Sequence, residues 1–321
     1  MTDQLHRILP TVQKPARYVG GEYGQIIKDK ANVDLRVAFC FPDTYEIGMS
    51  NIGMRILYGI MNNMDGVWCE RVFAPWGDME AAMRQHQIPL YALESRDPVK
   101  DFDLIAFSIG YEMSYTNILN MLNLAGVPLL SRDRPGLQGL VFAGGVCAVN
   151  PEPLADFIDF FSLGEGEEMT PEILNLYRKA KSEGWDKPRF LHEVVKIPGV
   201  YVPSLYRHHY GADGRLESIE PLDDAPERVV KRIVRDLDKA YYPAQTIVPN
   251  TEIVHDRTNL EVFRGCIRGC RFCQAGFCYR PVRERSAETL YHQAVEALET
   301  SGNHEITLSS LSTSDYRQLA P

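Results

Sequence analysis

From Asp34 onward, short apolar runs alternate with stretches of helical spacing, and this alternation constrains the fold more than any other feature. The run Leu35-Arg-Val-Ala-Phe-Cys-Phe41 ends in Pro42-Asp43. Short apolar runs closed by turn residues read as buried parallel strands. Residues 51–64 follow with Ile52, Ile56, Leu57 and Ile60 at helical spacing. Strand-like runs recur at Arg71–Ala74, Leu104–Ser108, Leu140–Ala143 and Phe157–Leu163. Helical stretches are expected at Asp78–Gln85, Thr116–Ala125 and Pro171–Lys181. Strand, helix, strand, helix gives an α/β fold in which helices cover both faces of a parallel sheet. A doubly wound domain is therefore expected over 34–184, preceded by an N-terminal arm (1–33) with one short helix.

Residues 185–245 break that rhythm and read as a connector. Within it, Tyr201–Tyr210 and Arg215–Ile219 flank Gly-Ala-Asp-Gly, the pattern of a β-hairpin over a glycine-rich turn. His208 and His209 are adjacent on that hairpin. Neighbouring strand residues face opposite sides, so the pair is not expected to chelate one metal. A second α/β segment occupies 246–321. Asn259–Phe263 is its first strand, a helix starts at Ser286 with Glu288 in its first turn, and Glu305–Ser309 is its next strand. This supplies one strand–helix unit and one further strand of a βα barrel, so the chain is expected to be part of a longer protein and inactive alone. No internal repeat or low-complexity tract is present.

The net charge of −9 argues against a partner held by a basic surface field, such as nucleic acid. No stretch approaches the roughly 20 apolar residues that span a bilayer, and the first residues lack the apolar core of a secretory signal. Seven cysteines, an odd number, do not suggest a disulfide framework. Reduced thiols in a cytoplasmic protein are expected.

Three of those cysteines stand in Cys266-Ile-Arg-Gly-Cys270-Arg-Phe-Cys273. Thiolates are soft ligands, and three on one tight loop can hold three irons of a 4Fe-4S cluster and leave the fourth open. Gly265 and Gly269 let backbone amides approach the sulfides, while Arg264, Arg268 and Arg271 favour deprotonated cysteine. The alternative is a closed zinc site with Cys278 as a fourth thiolate, which would crowd all four ligands onto one short run. Spacing and aromatic residue resemble the signature of radical S-adenosylmethionine (SAM) enzymes. That resemblance implies SAM chelated by the open iron and cleaved to a 5′-deoxyadenosyl radical. It places Phe272 near the adenine and counts Gly276 among the cofactor-binding residues. Many such enzymes carry a Gly-Gly-Glu-like motif after the second barrel strand to hold the methionyl amine. It is absent here, and Ser310, Ser312, Thr313 and Asp315 would replace it.

In open α/β sheets, ligands sit outside the carboxyl ends of the strands. The loops expected there are Asp43-Thr-Tyr45-Glu-Ile-Gly48, Ser108-Ile-Gly110, Gly144-Gly145 and Gly164-Glu-Gly-Glu-Glu168. Their glycines would let a bulky ligand approach the backbone. The acidic run reads first as a strand-to-helix turn. In order and position, these segments resemble the cobalamin-binding, Rossmann-like fold. Tyr45 stands where that fold has its cobalt-ligating histidine, and Gly110 replaces a leucine. The resemblance thus points to the cobalamin-dependent radical group, in which that histidine is commonly absent. It implies cobalamin contacts from Asp43, Tyr45, Gly48, Ser108, Gly144 and Gly145. A Rossmann-like domain that binds something else is the alternative.

Together with Tyr279-Arg-Pro-Val-Arg-Glu-Arg-Ser286, the cysteine run makes nearly the whole chain resemble radical SAM proteins with an N-terminal cobalamin-binding-like domain. The resemblance implies a 4Fe-4S cluster, SAM, cobalamin, a protein reductant such as flavodoxin or ferredoxin, and methyl transfer to an unactivated carbon. Two alternatives stay open: a radical SAM enzyme whose Rossmann-like domain binds substrate, and a non-catalytic zinc or iron–sulfur module.

Overall fold

In the computed structural model, which describes residues 2–243 and 245–319, the N-terminal arm opens with α1 (Thr2–Ile8) and continues as short 3-10 turns to Asn32. It is not a loose appendage. Leu5, Ile8, Leu9, Val12 and Tyr18 are all buried in the main core.

The alternating region then forms β1 (Leu35–Phe41), α2 (Tyr45–Met49), α3 (Ile52–Asn62), β2 (Val67–Phe73), α4 (Gly77–Gln85), β3 (Leu104–Ser108), α5 (Tyr115–Ala125), β4 (Leu140–Gly144), β5 (Phe160–Ser162), α6 (Gly166–Ser182), α7 (Lys187–Val194) and β6 (Val200–Tyr201). These strands make one six-stranded sheet in the order β2-β1-β3-β4-β5-β6. Only the β5–β6 pair is antiparallel, with Phe161 opposite Tyr201. The fold is thus α/β with a mainly parallel central sheet. Parallel strands covered on both faces read as continuous apolar runs, and Leu35, Val37, Leu104, Ile105, Leu140 and Val141 are fully buried. The strand order reverses between β1 and β3, and at such a switch point the loops diverge to leave a crevice at the carboxyl ends.

Two differences from the sequence reading have physical causes. The strand expected at Arg71–Ala74 starts four residues earlier, at Val67. Glu70 and Arg71 are charged, yet both are buried. Arg36 pairs with Glu70, and the Arg71 guanidinium sits between Glu22 (2.9 Å) and Glu94 (2.6 Å). Burial and paired charge coexist here because every ion is hydrogen-bonded. The sheet also gains its sixth strand at Val200–Tyr201, past residue 184, and α7 packs Phe190 against Phe160 and Tyr177. The Pro and short length of that stretch disguised both elements.

A hairpin follows, β7 (Tyr206–Tyr210) and β8 (Leu216–Pro221), with a register shift at His209/Tyr210. After a linker come β9 (Thr258–Glu261), β10 (Phe263–Arg264), α8 (Ala275–Cys278), β11 (Arg283–Glu284), α9 (Ala287–Ser301) and β12 (Ile306–Ser309). β9 and β12 pair in parallel across α9, which Ser286 caps by accepting from the Thr289 amide. A small core of Leu260, Val262, Phe263, Leu290 and Tyr316 holds this unit. The linker is stitched back to the N-terminal arm. The Val248 amide donates to the Tyr23 carbonyl (2.9 Å), and the Asn250 side-chain amide to that of Gly20 (2.9 Å).

Candidate functional site

A cleft of about 540 Å³ opens at the carboxyl ends of β3, β4 and β5. Ser108, Gly110, Gly144, Gly145 and Ser162 form its sheet-side wall, with Ile52, Ile56 and Leu57 of α3 beside them. The opposite wall comes from the cysteine segment (Phe263, Arg264, Gly265, Cys278, Tyr279) and from Ser309, Ser310 and Leu311 after β12. Lys231, Arg232 and Ile233 of the linker contribute between them. The volume lies in the range of small-molecule and cofactor sites.

Charge holds the two walls together. The acidic turn before α6 receives the arginines of the cysteine segment. Arg283 donates to both oxygens of Glu165 (2.6 and 2.7 Å), and Arg264 reaches Glu167 at 2.6 Å and Glu165 at 3.5 Å. Arg264 also makes a two-pronged contact with Glu261 (2.9 and 3.0 Å). Burial alone would raise the Glu165 pKa, but Arg283 and Arg264 outweigh it and hold the carboxyl below its ordinary value. Burial opposes charge on Arg264 too, yet Glu261 and Glu167 keep it firmly protonated. Lys231 donates to the carbonyls of Cys278 and Arg280 (2.6 Å each), closing the end of α8. Burial draws its ammonium pKa down.

The cysteine loop is bracketed by the antiparallel pair β10–β11, with Arg264 opposite Arg283. Gly265 has φ +90°, and a Cβ there would stand 2.7 Å from the Pro281 carbonyl oxygen, so only glycine fits the entry to the loop. Cys266 and Cys273 are partly exposed and Cys270 is exposed; none is in a disulfide. The Cys273 amide donates to the Cys270 carbonyl (3.1 Å), turning the chain between the last two thiols. Arg268 lies close enough to Cys266 and Cys270 to feel their charge, and its guanidinium forms a two-pronged ion pair with Asp315. Arg268 holds the Asp315 pKa down, and Ser312 Oγ donates to the same carboxylate (2.7 Å). Ser310 and Thr313 bond to each other (2.9 Å).

The donor chemistry fits an iron–sulfur cluster, in which each thiolate takes its own iron. Among the described residues, no three His, Cys, Asp or Glu side chains are grouped as a single-ion site.

Of the residues singled out in the sequence, Ser108, Gly144, Gly145 and Ser310 line the cleft. Ser312 and Asp315 join the cysteine loop through Arg268. Phe272 projects into solvent, 93% exposed, and Gly276 is buried in α8. The structure does not bring Asp43, Tyr45 or Gly48 to the cleft lining. Asp43 accepts a hydrogen bond from the Tyr111 hydroxyl. Tyr45 points into the core, donating to Glu22 (2.9 Å), and burial pushes its hydroxyl pKa up. Gly48 packs against the Phe73 ring. Gly145 has φ +101°, and a Cβ there would meet the Ile109 carbonyl oxygen at 2.5 Å, so backbone packing alone requires this glycine. His208 and His209 turn to different carboxylates, Glu152 (3.4 Å) and Glu220 (2.8 Å).

Sequence reasoning missed Lys231, and missed the pairing of Glu165 and Glu167 with Arg264 and Arg283. The signal was charge complementarity: six arginines between 264 and 285 against the acidic turn at 165–168.

Residues 53–203 match the family model described as "Radical SAM proteins, N-terminal". The match runs from α3 to just past β6, and the cysteine loop lies downstream of it. The chain is 24% identical over 287 residues to the uncharacterized protein MJ0966 of Methanocaldococcus jannaschii, covering 88% of this chain and 50% of that protein. It thus spans about half the length of the curated relative it matches. Among solved structures, it resembles the radical S-adenosylmethionine methyltransferase TsrM from Kitasatospora setae with cobalamin and a [4Fe-4S] cluster bound. The TM-score is 0.51 at 14% identity, over 87% of this chain and 48% of that one. A second TsrM structure, with tryptophan substrate and the SAM analogue aza-SAM, matches with TM-score 0.48 at 15% identity, over 87% of this chain and 48% of that one. At this identity the first TsrM match supports a shared fold. No helix of the described residues is long and apolar enough to cross a membrane.

Proposed function

We propose that this chain is the N-terminal part of a radical SAM enzyme that uses cobalamin, with methyl transfer as its reaction. One observation carries the reading. A single cleft is walled on one side by the carboxyl-end loops of the parallel sheet and on the other by Phe263–Gly265, Cys278 and Tyr279, the residues that flank the loop of the three cysteines. Cys266, Cys270 and Cys273 would hold the cluster, and Ser108, Gly110, Gly144 and Gly145 would face the corrin. When bound, these groups supply a reductive cleavage of the sulfonium and a methyl carrier. The protein's part is positional. Arg268 and Asp315 fix the middle of the cysteine loop, Lys231 fixes its end, and Glu165 sets its distance from the sheet. Among the described residues no histidine lines the cleft and Tyr45 is committed to Glu22, so these residues would offer a corrinoid no imidazole. The strand pair β9–β12 with α9 would begin a βα barrel, and the reductant would be a flavodoxin or ferredoxin.

Oxygen-free reconstitution tests this. Brown visible absorbance that bleaches with dithionite is expected, together with corrinoid bands after incubation with cobalamin. Cys270→Ala should lose the first and keep the second. A colourless wild-type protein would refute the cluster. In the longer parent protein, product analysis should give both 5′-deoxyadenosine and S-adenosylhomocysteine.

A second reading rests on Gly145, which internal packing already explains, and on the distance of Tyr45 and Gly48 from the cleft. The sheet edge would then take substrate, and the iron–sulfur bands would appear without any corrinoid.

A further inference from the structure

α3 has two working faces. Ile52, Gly53, Ile56 and Leu57 line the cleft, whereas Met54, Arg55, Tyr58 and Gly59 line a separate pocket of about 360 Å³. The far side of this pocket is the linker, with Tyr241, Tyr242 and Thr246, and the arm closes it through Gly24 and Ile26. We propose that this pocket binds a small molecule through an oxyanion, a carboxylate or phosphate, with Arg55 as its principal ligand.

Arg55 is partly buried, and its Nε–H donates to the Met49 carbonyl (3.0 Å). Its two terminal nitrogens have no hydrogen-bond or ion-pair partner among the described residues. This is unusual beside the other interior arginines. Arg71, in the same pocket wall, has Glu22 and Glu94, and Arg264 has Glu261 and Glu167. Asp256 acts on Arg55 only at a distance, and burial lowers its pKa. A guanidinium set in a pocket with its fork free matches the two oxygens of a carboxylate or phosphate. A second donor stands near it. The Tyr58 hydroxyl accepts from the Ile26 amide (2.9 Å), and its own proton has no acceptor among the described residues. Glu296 also lines the pocket and would repel an anion placed near it. The oxyanion therefore belongs at the Arg55 end, with the body of the ligand along Met54 and the tyrosines.

The test uses the purified protein and two probes, inorganic phosphate and acetate, titrated calorimetrically at constant ionic strength against chloride. One of the two should saturate with a half-point at least tenfold below that of chloride. Tighter phosphate marks a phosphate-bearing ligand, and tighter acetate a carboxylate. Arg55→Met should weaken that binding tenfold or more, and Tyr58→Phe two- to fivefold. In the unmodified protein, phenylglyoxal should label Arg55, and the tighter anion should protect it. Neither anion exceeding chloride, a folded Arg55→Met that binds as wild type, or labelling of Arg55 indifferent to both anions would overturn the proposal. The labelling decides the matter even where the variant does not fold.

Discussion

On the sheet side of the cleft, Phe142 stacks on Phe160, Phe160 meets Phe190, and Phe190 meets Tyr177, all within one large core. On the cysteine side, the core among the described residues is five buried side chains, and Arg264 and Arg283 carry much of the attachment to the sheet side. One wall is held by apolar burial and the other by paired charge. The difference suits their tasks. A sheet edge that must keep a constant shape is built from close packing, which yields little. The cysteine loop leaves its thiols at the surface rather than in a core, and it is tied down at its ends by ion pairs.

The comparison can be broken at several points. Phe160→Ala should cost about 3–5 kcal/mol of global stability, read by urea denaturation, because it opens a cavity in the large core. A loss under about 1 kcal/mol would mean that the sheet does not depend on this packing. Glu165→Gln should weaken the charge-held wall by about 1–3 kcal/mol, discounted because the carboxylate is partly solvated. Its mark would be local: faster amide hydrogen exchange at 263–284 with the main unfolding midpoint little changed. Acid should do the same more gradually. The folded Glu165 pKa lies below its ordinary value of 4.5, so its pairing contributes fully above that value and is lost as pH falls through the lower folded value. Exchange at 263–284 should therefore rise below pH 4.5, and Glu165→Gln should flatten that rise. The smallest effect is expected at Arg84→Ala, which removes a half-exposed pair with Glu80 and hydrogen bonds to Asn120 and Asn123 and should cost about 1 kcal/mol in the same denaturation assay.

The same contrast explains what could be read from the sequence. The apolar wall was legible, since runs such as Leu104–Ser108 and Leu140–Ala143 announce buried strands by composition alone. β2 was only half legible, because its Glu70 and Arg71 carry the marks of a surface while lying inside. The charged wall was hardly legible. Glu165 and Arg283 are 118 residues apart, and nothing local in either stretch names its partner. The cysteine trio was plain from spacing. The tie between Arg268 and Asp315 was not, although both residues stood in segments already singled out. Tyr45 shows the opposite case: its place in a familiar order implied a cobalamin contact, whereas in the structure it donates to Glu22 within the core.

The stitching of the linker to Tyr23 and Gly20 has a practical consequence. Those few backbone contacts join points more than two hundred positions apart along the chain, so the leading two dozen residues act as a remote anchor for whatever follows the hairpin. Trimming them to tidy the protein for crystallisation would release the tether that steadies the cysteine-bearing end, and the damage would show far from the cut.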